Sequence, residues 1–151
     1  MSLLQAIQQH ASNAPDNIAI RGSIDILSYR DLYHEVAQTQ EMLVQDTNAS
    51  CLALALDNHP AWAIIDIAAV SNQLPIVPIP NFFSDNQITH AINDAGANVL
   101  ITDNPERFVV VLRYQIAQKS TITIADKRLM CIHLRTPEKS LPFNTAKITY
   151  T

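Results

Sequence analysis

Glycine is the scarcest structural residue in this chain, with only Gly22 and Gly96 among 151 positions. No Gly-x-Gly-x-x-Gly can follow a strand, which excludes a Rossmann dinucleotide site, and no glycine-rich phosphate cradle lies within the chain. Cysteine is nearly as rare. Cys51 and Cys131 lie far apart, each inside an apolar run, so they form neither a metal-ligand spacing nor a disulfide framework and read as buried, reduced thiols. Basic residues are few and scattered: 10 Lys and Arg face 14 Asp and Glu, for a net charge of −4. Without a basic stripe to neutralise phosphates, nucleic acid is excluded as an expected partner. His10, His34, His59, His90 and His133 include no i, i+4 pair and no His-Glu-x-x-His, so they read as surface or capping residues rather than metal ligands. Long hydrophobic runs are missing too. Ala61–Val70 is apolar but is interrupted by Asp66 and too short to span a bilayer, and the N-terminus lacks the basic and apolar regions of a signal peptide. A soluble cytoplasmic protein is the expectation.

What the chain does have is core. Hydrophobic residues make up 48% and charged residues 16%, the reverse of a disordered composition, and the length suits one domain over residues 1–151. Leu3, Leu4, Ile7 and Ala11 repeat at helical spacing up to the break at Asn13-Ala14-Pro15-Asp16. Ile18–Ile20 and Ile24–Tyr29, around Gly22-Ser23, predict a hairpin. Ser28 with Asp31 forms a capping box for a helix that carries Leu32, Val36 and Leu43 on one stripe.

The centre is the most regular part. Cys51–Leu56 is a continuous apolar run, as a strand covered on both faces requires. Asn58-His59-Pro60 supplies a cap and a first-turn proline for a buried helix over Ala61–Val70. Ile76–Ile79 predicts a second buried strand, with Pro78 ending it early. Ser84 and Gln87 form a further capping box. Ile88, Ala91, Ile92 and Ala95 follow as an apolar stripe that Gly96 terminates. Asn98–Thr102 predicts a third strand. Asn104-Pro105-Glu106 then opens a helix with Phe108, Leu112 and Ile116 as its apolar row. Thr121–Ile124 and Leu129–Leu134 predict two more strands, Thr136–Asn144 an exposed loop, and Ala146–Tyr150 the start of a last strand. Strands alternating with helices imply an α/β fold: a parallel, doubly wound sheet of βαβ units preceded by a helix and a small β-hairpin.

Few side chains stand out as chemical candidates. Asp57 and Asn58 fall at the carboxyl end of a predicted strand, where open α/β sheets bind ligands, but the following helix also needs its free amides capped, and capping is the simpler reading. Ser28 and Ser84 lack the pattern of a nucleophile with His and Asp partners. Trp62 and Phe82-Phe83 read as packing rather than as a stacking platform.

Several stretches, in the right order, resemble the AMP-forming acyl-adenylate ligases, the superfamily of acyl-CoA synthetases, aryl ligases, luciferases and peptide-synthetase adenylation domains. Pro15–Ile20 resembles its early "PD-x-x-A-hydrophobic" strand, and Leu27–Leu32 its "hydrophobic-TY-x-E-L" helix entry. Leu54–Trp62 resembles "L-x-L-x-N-s-x-e-W", Ile76–Ile79 "hydrophobic-VPL", and Asp94–Asp103 "DSGAKVLITD". Phe143–Thr151 resembles the approach to the signature loop, "D-x-A-x-I-x-Y-T-S-G-T-T-G-x-P-K". One departure is Ser71–Pro75, which stands where the family usually has an Ala-Gly turn.

The resemblance implies the N-terminal part of an ATP-dependent carboxylic acid:thiol ligase, cut at the start of the phosphate loop and inactive by itself. Thr151 would be the first residue of that loop and the only nucleotide-binding residue present, with no catalytic and no metal residue. The parent enzyme would use ATP, Mg²⁺ and coenzyme A or a carrier-protein pantetheine, on a fatty or other hydrophobic acid. The fragment itself would hold no cofactor, its partners being the remainder of the enzyme and the acid. Self-association through a cut edge at Ile148 and Tyr150 is a further expectation. A free-standing α/β binding or interaction module without ligase chemistry is the competing reading.

Overall fold

The computed structural model describes residues 1–151. Helix α1 (Leu3–Asn13) leads into a two-stranded antiparallel hairpin, β1 (Ile18–Arg21) and β2 (Ile26–Ser28), and then helix α2 (Tyr29–Gln45). Each helix starts where a side chain satisfies free amides. Ser2 with Gln5 and Ser28 with Asp31 both form complete capping boxes. On α2 the buried stripe is Leu32, Val36, Thr39 and Leu43, at the spacing that keeps one face inward.

The main sheet contains β3 (Leu52–Ala55), β4 (Ile76–Pro78), β5 (Val99–Thr102), β6 (Ile116–Ile124) and β7 (Lys127–Leu134), in the order β4-β3-β5-β7-β6. Helix α3 (Pro60–Ser71) links β3 to β4, α4 (Asp85–Ala95) links β4 to β5, and α5 (Pro105–Val111) follows β5. The alternation of side chains along each strand divides the interior into two cores. Leu52, Leu54, Ile76, Val99 and Ile101 face α1, α2 and α3. Ala53, Ala55, Val77, Ile79 and Leu100 face α4 and α5. Ile64, Ile65, Ile88 and Ile92 are fully buried helix residues in these cores. Each such side chain contributes roughly 1.5–3 kcal/mol by leaving water.

The three predicted parallel strands are adjacent and parallel, with Leu52 opposite both Ile76 and Val99. The α/β class, the opening helix and the hairpin also stand. The sheet is nevertheless mixed: β7 runs antiparallel to β5, and β6 antiparallel to β7. The turn between β6 and β7 accounts for the second of these pairings. Ala125 and Asp126 both adopt left-handed backbone conformations, φ 49° and 62°, which makes a two-residue loop of the mirror-image kind that matches strand twist. Such turns usually announce themselves with Asn-Gly or Asp-Gly, and an alanine there gives no sequence signal. The turn is held from outside, because Ala125 N–H donates to Glu35 Oε2 at 3.1 Å.

Smaller expectations are corrected. Helix α5 ends at Val111, so Ile116 belongs to β6 rather than to a helical row. Its proline start holds, but Asn104 makes no side-chain cap bond. The cap of α3 is His59, whose Nδ1 accepts from Ala61 N–H at 3.0 Å, so neither Asp57 nor Asn58 fills that role. Thr136–Asn144 has no regular structure, yet it packs: Leu141 lies on the second core and Lys139 lies across Gly96. Gly96 is required twice over. Its φ of 70° is the left-handed C-cap of α4, and an added Cβ would sit 2.8 Å from Lys139 Cγ. Ala146–Tyr150 is no regular strand either, being joined to β4 by a single parallel bridge, Ile76 to Lys147.

Candidate functional site

The carboxyl ends of the three parallel strands diverge, because the chain leaves β3 for α3 on one face and β4 for α4 on the other. Divergence of that kind opens a crevice, the usual ligand position in an open α/β sheet. A pocket of about 190 Å³ lies there, lined by Ala55, Leu56 and Asp57 after β3, Ile79 and Asn81 after β4, and Asp103, Asn104, Arg107 and Phe108 after β5.

Among the polar side chains of the pocket, Asp103 and Arg107 are engaged by neighbours. Asp103 Oδ2 accepts from Asp57 N–H at 3.2 Å and lies 3.5 Å from Lys127 Nζ. Asn104 N–H donates to Thr102 Oγ1 at 3.0 Å. Arg107 donates to the carbonyls of Asn81, at 2.8 Å, and Phe83, and stands 3.7 Å from Asp85 Oδ1. Its guanidinium thus braces the β4–α4 loop against α5. With two carboxylates in the lining and the one lining cation bound to carbonyls, this donor set does not suit a phosphate. No group of three or more His, Cys, Asp or Glu side chains is placed to hold a metal ion.

A second feature adjoins β4. Ile76 N–H donates to the Ala146 carbonyl at 2.9 Å, and Ile148 N–H to the Ile76 carbonyl at 2.8 Å. At that bridge the segment runs parallel to β4, and exposed Thr151 follows four residues later. Side chains on both faces anchor the segment. Lys147 Nζ is 3.0 Å from each carboxylate oxygen of Asp66 on α3 and 6.0 Å from the centre of the Trp62 ring. Tyr150 hydroxyl donates to Asp94 Oδ2 on α4 at 2.7 Å, with His90 edge-on to its ring. Burial first, then the bond to Asp94 and its charge, push the Tyr150 phenol up to about 12.

The family can be decided from here. A model of the family described as AMP-binding enzyme matches residues 7–151. The chain belongs to that family. Among its relatives, human long-chain-fatty-acid–CoA ligase 6 is 27% identical over 97 residues, covering 59% of this chain and 14% of the relative. Surfactin synthase subunit 1 of Bacillus subtilis is 26% identical over 155 residues, covering 99% of this chain and 4% of the relative. In fold, the chain is similar to O-succinylbenzoate coenzyme A synthetase of Bacillus subtilis in complex with AMP, with a TM-score of 0.59 at 19% identity, over 66% of this chain and 26% of that one. The chain therefore spans only a small part of the length of these AMP-binding enzymes.

Against that membership, the other candidates fall into place. Ser28 and Ser84 are N-caps, Ser28 bonded to Asp31 and Ser84 to Gln87, and the hydroxyl bonds of both go to those caps. Cys51 and Cys131 are buried, and burial pushes both thiols up to about 11, which suppresses the thiolate. His59 caps α3 with Nδ1 while Nε2 lies 3.3 Å from Asp25, tying the hairpin to α3. Phe83 is buried but Phe82 is 80% exposed, so only the former is packing. Ile148 and Tyr150 pack on the second core. Sequence reasoning missed Asp103, Arg107, Asp66 and Asp94. Asp66 did carry a signal, as the lone charge in an otherwise apolar helix, whose partner could not be read without the fold.

Proposed function

We propose that these residues form the N-terminal part of an ATP-dependent carboxylic acid:thiol ligase. In that reaction a carboxylate oxygen attacks the α-phosphorus of ATP, releasing pyrophosphate and giving an acyl-adenylate. A thiol sulfur then takes the acyl group and AMP leaves. The observation that carries the reading is the AMP-binding family match over residues 7–151. In this reading the acid is fatty or otherwise hydrophobic, a choice supported by the name of the human relative. The thiol belongs to coenzyme A or a carrier-protein pantetheine, Mg²⁺ accompanies the ATP, and the cytoplasm is the site of action.

The 151 residues alone are proposed to be inactive. Neither glycine lies in a phosphate cradle, and the pocket at the strand ends disfavours phosphate. Thr151 is assigned as the first residue of the phosphate loop, by its motif and its direction along β4. The rest of the enzyme is then the main partner, and the outer side of Ala146–Tyr150 is its contact surface or, in the isolated chain, a self-association surface.

The test is carboxylate-dependent ATP–pyrophosphate exchange. The chain alone should give no exchange above a heat-killed control, whereas the polypeptide encoded past codon 151 should exchange with hydrophobic acids. Exchange by the chain alone would overturn its inactivity. A stop codon directly after Thr151 would overturn the ligase reading in favour of a stand-alone binding module.

A further inference from the structure

The main sheet ends at β4 on one side, and only two backbone hydrogen bonds join the Ala146–Tyr150 segment to it. Two such bonds on an exposed edge would ordinarily fray. What distinguishes this segment is that consecutive odd and even positions are anchored on opposite faces of the sheet. Lys147 reaches down to α3, where Asp66 supplies both carboxylate oxygens at 3.0 Å and Trp62 lies beneath the ammonium. Ile148 and Tyr150 turn to the other face, where Ile148 joins the second core and Tyr150 bonds Asp94 on α4 at 2.7 Å.

The placement of the two acids completes the argument. Asp66 is the one charged residue of α3, a helix whose other residues are apolar apart from Ser71 at its end, and it stands only 34% exposed. A carboxylate held there needs a cation, and Lys147 Nζ is the cation within salt-bridge distance. Asp94, in turn, faces the tip of the segment, one residue before Thr151.

We infer that Lys147–Asp66 and Tyr150–Asp94 are paired latches, and that Lys147 and Tyr150 are positioning residues which fix the direction of the chain where it reaches Thr151. The consequence for nucleotide rests on the proposed role of Thr151; the latching itself does not. Each latch holds one face of an extended segment that bonds along only one edge. Losing either lets the segment twist about its two backbone bonds, and losing both frees it.

Amide exchange on the 151-residue chain decides the matter. The reporters are Ile148 and Ile76, whose N–H groups make the two bonds, with Leu134, whose N–H donates to the Asn98 carbonyl on the far side of β3, as internal control. Tyr150→Phe should speed exchange at Ile148 by roughly tenfold, since a charge-assisted bond is lost. Lys147→Ala should speed it about two- to fivefold, as expected for a half-exposed ion pair. The charge-swapped pair Lys147→Asp with Asp66→Lys should restore part of the protection, which generic damage to the edge would not. Unchanged exchange at Ile148 in the Lys147→Ala/Tyr150→Phe double variant would overturn the inference, as would equal acceleration at Leu134.

A second arm separates this result from the functional reading. In the polypeptide encoded past codon 151, Tyr150→Phe should raise the KM for ATP in pyrophosphate exchange more than it lowers kcat. If the latches hold by amide exchange but the extended wild type shows no exchange with any acid, the ligase reading fails and the latches stand. If the extended enzyme is active and its KM for ATP is indifferent to both variants, the positioning role is overturned.

Discussion

The two halves of the main sheet are built on different principles. In β3, β4 and β5 the strands are three or four residues long, parallel and almost wholly buried, with helices on both faces. In β6 and β7 they are nine and eight residues long and antiparallel, and Ala117–Thr121 of β6 are all exposed. The parallel half depends on burial of side chains contributed by distant elements. In the other half β7 still buries Leu129, Cys131, Ile132 and Leu134 in the two cores, but the outer strand β6 depends on its ladder with β7 and on one turn, so it tolerates polar residues that would be ruinous next door.

Mutagenesis should expose that difference most strongly in the core. Ile101→Ala removes a fully buried β5 side chain and should cost about 2–5 kcal/mol, whereas Thr121→Ala on exposed β6 should cost no more than about 0.5 kcal/mol. Urea unfolding of the two variants checks this, and equal midpoints would abolish the comparison. Gly96→Ala comes next, at about 1–2 kcal/mol or more, because alanine must adopt a φ of 70° and displace Lys139. Ser84→Ala, which removes the cap of α4, should cost about 1 kcal/mol by the same measurement.

Two finer measurements sharpen the contrast. Both cysteine thiols are pushed up to about 11 by burial, Cys51 before β3 and Cys131 in β7. Neither should react with a disulfide reagent at pH 8 in the folded chain. With mild denaturant Cys131 should react first, since the hairpin half opens more readily; simultaneous reaction would mean that the sheet opens as one unit. The smallest effect concerns acid. Asp31 is held below its ordinary carboxyl value by the Ser28 hydroxyl and then by the Ser28 amide. A depressed carboxyl stabilises the fold above the unfolded value of 3.8, and that contribution is lost as pH falls below 3.8 through the lowered folded value. Thermal melts of the wild type and Asp31→Asn should therefore differ at pH 6 and converge towards pH 3.

The same division explains what could be read from the sequence. The parallel half was legible because continuous apolar runs, first-turn prolines, Ser84 with Gln87, and the Gly96 stop each have one physical meaning. The hairpin was not, because Ala125-Asp126 disguises its turn and exposed β6 lacks a clear period. At the site, the position of Asp57 at a strand end was legible. The engagement of Asp103 with Lys127, of Arg107 with the Asn81 and Phe83 carbonyls, and of Asp66 with Lys147 was not, since these pairs are local only after folding. The cap of α3 was misassigned because Asn58 and His59 are both capable acceptors, and only the bond from Ala61 N–H distinguishes them.

The bond from Ala125 N–H to Glu35 has a consequence for the order of assembly. It joins residues 90 apart in the chain, at a turn whose alanine resists the required backbone conformation. That turn gains its carboxylate support only once α2 has docked, so the expected order has the last two strands closing late, on a platform already in place. In refolding, Glu35→Ala, which removes the acceptor, should slow closure of the hairpin while collapse of the parallel half keeps its rate. The first half of this molecule is, in that sense, the template on which the second is finished.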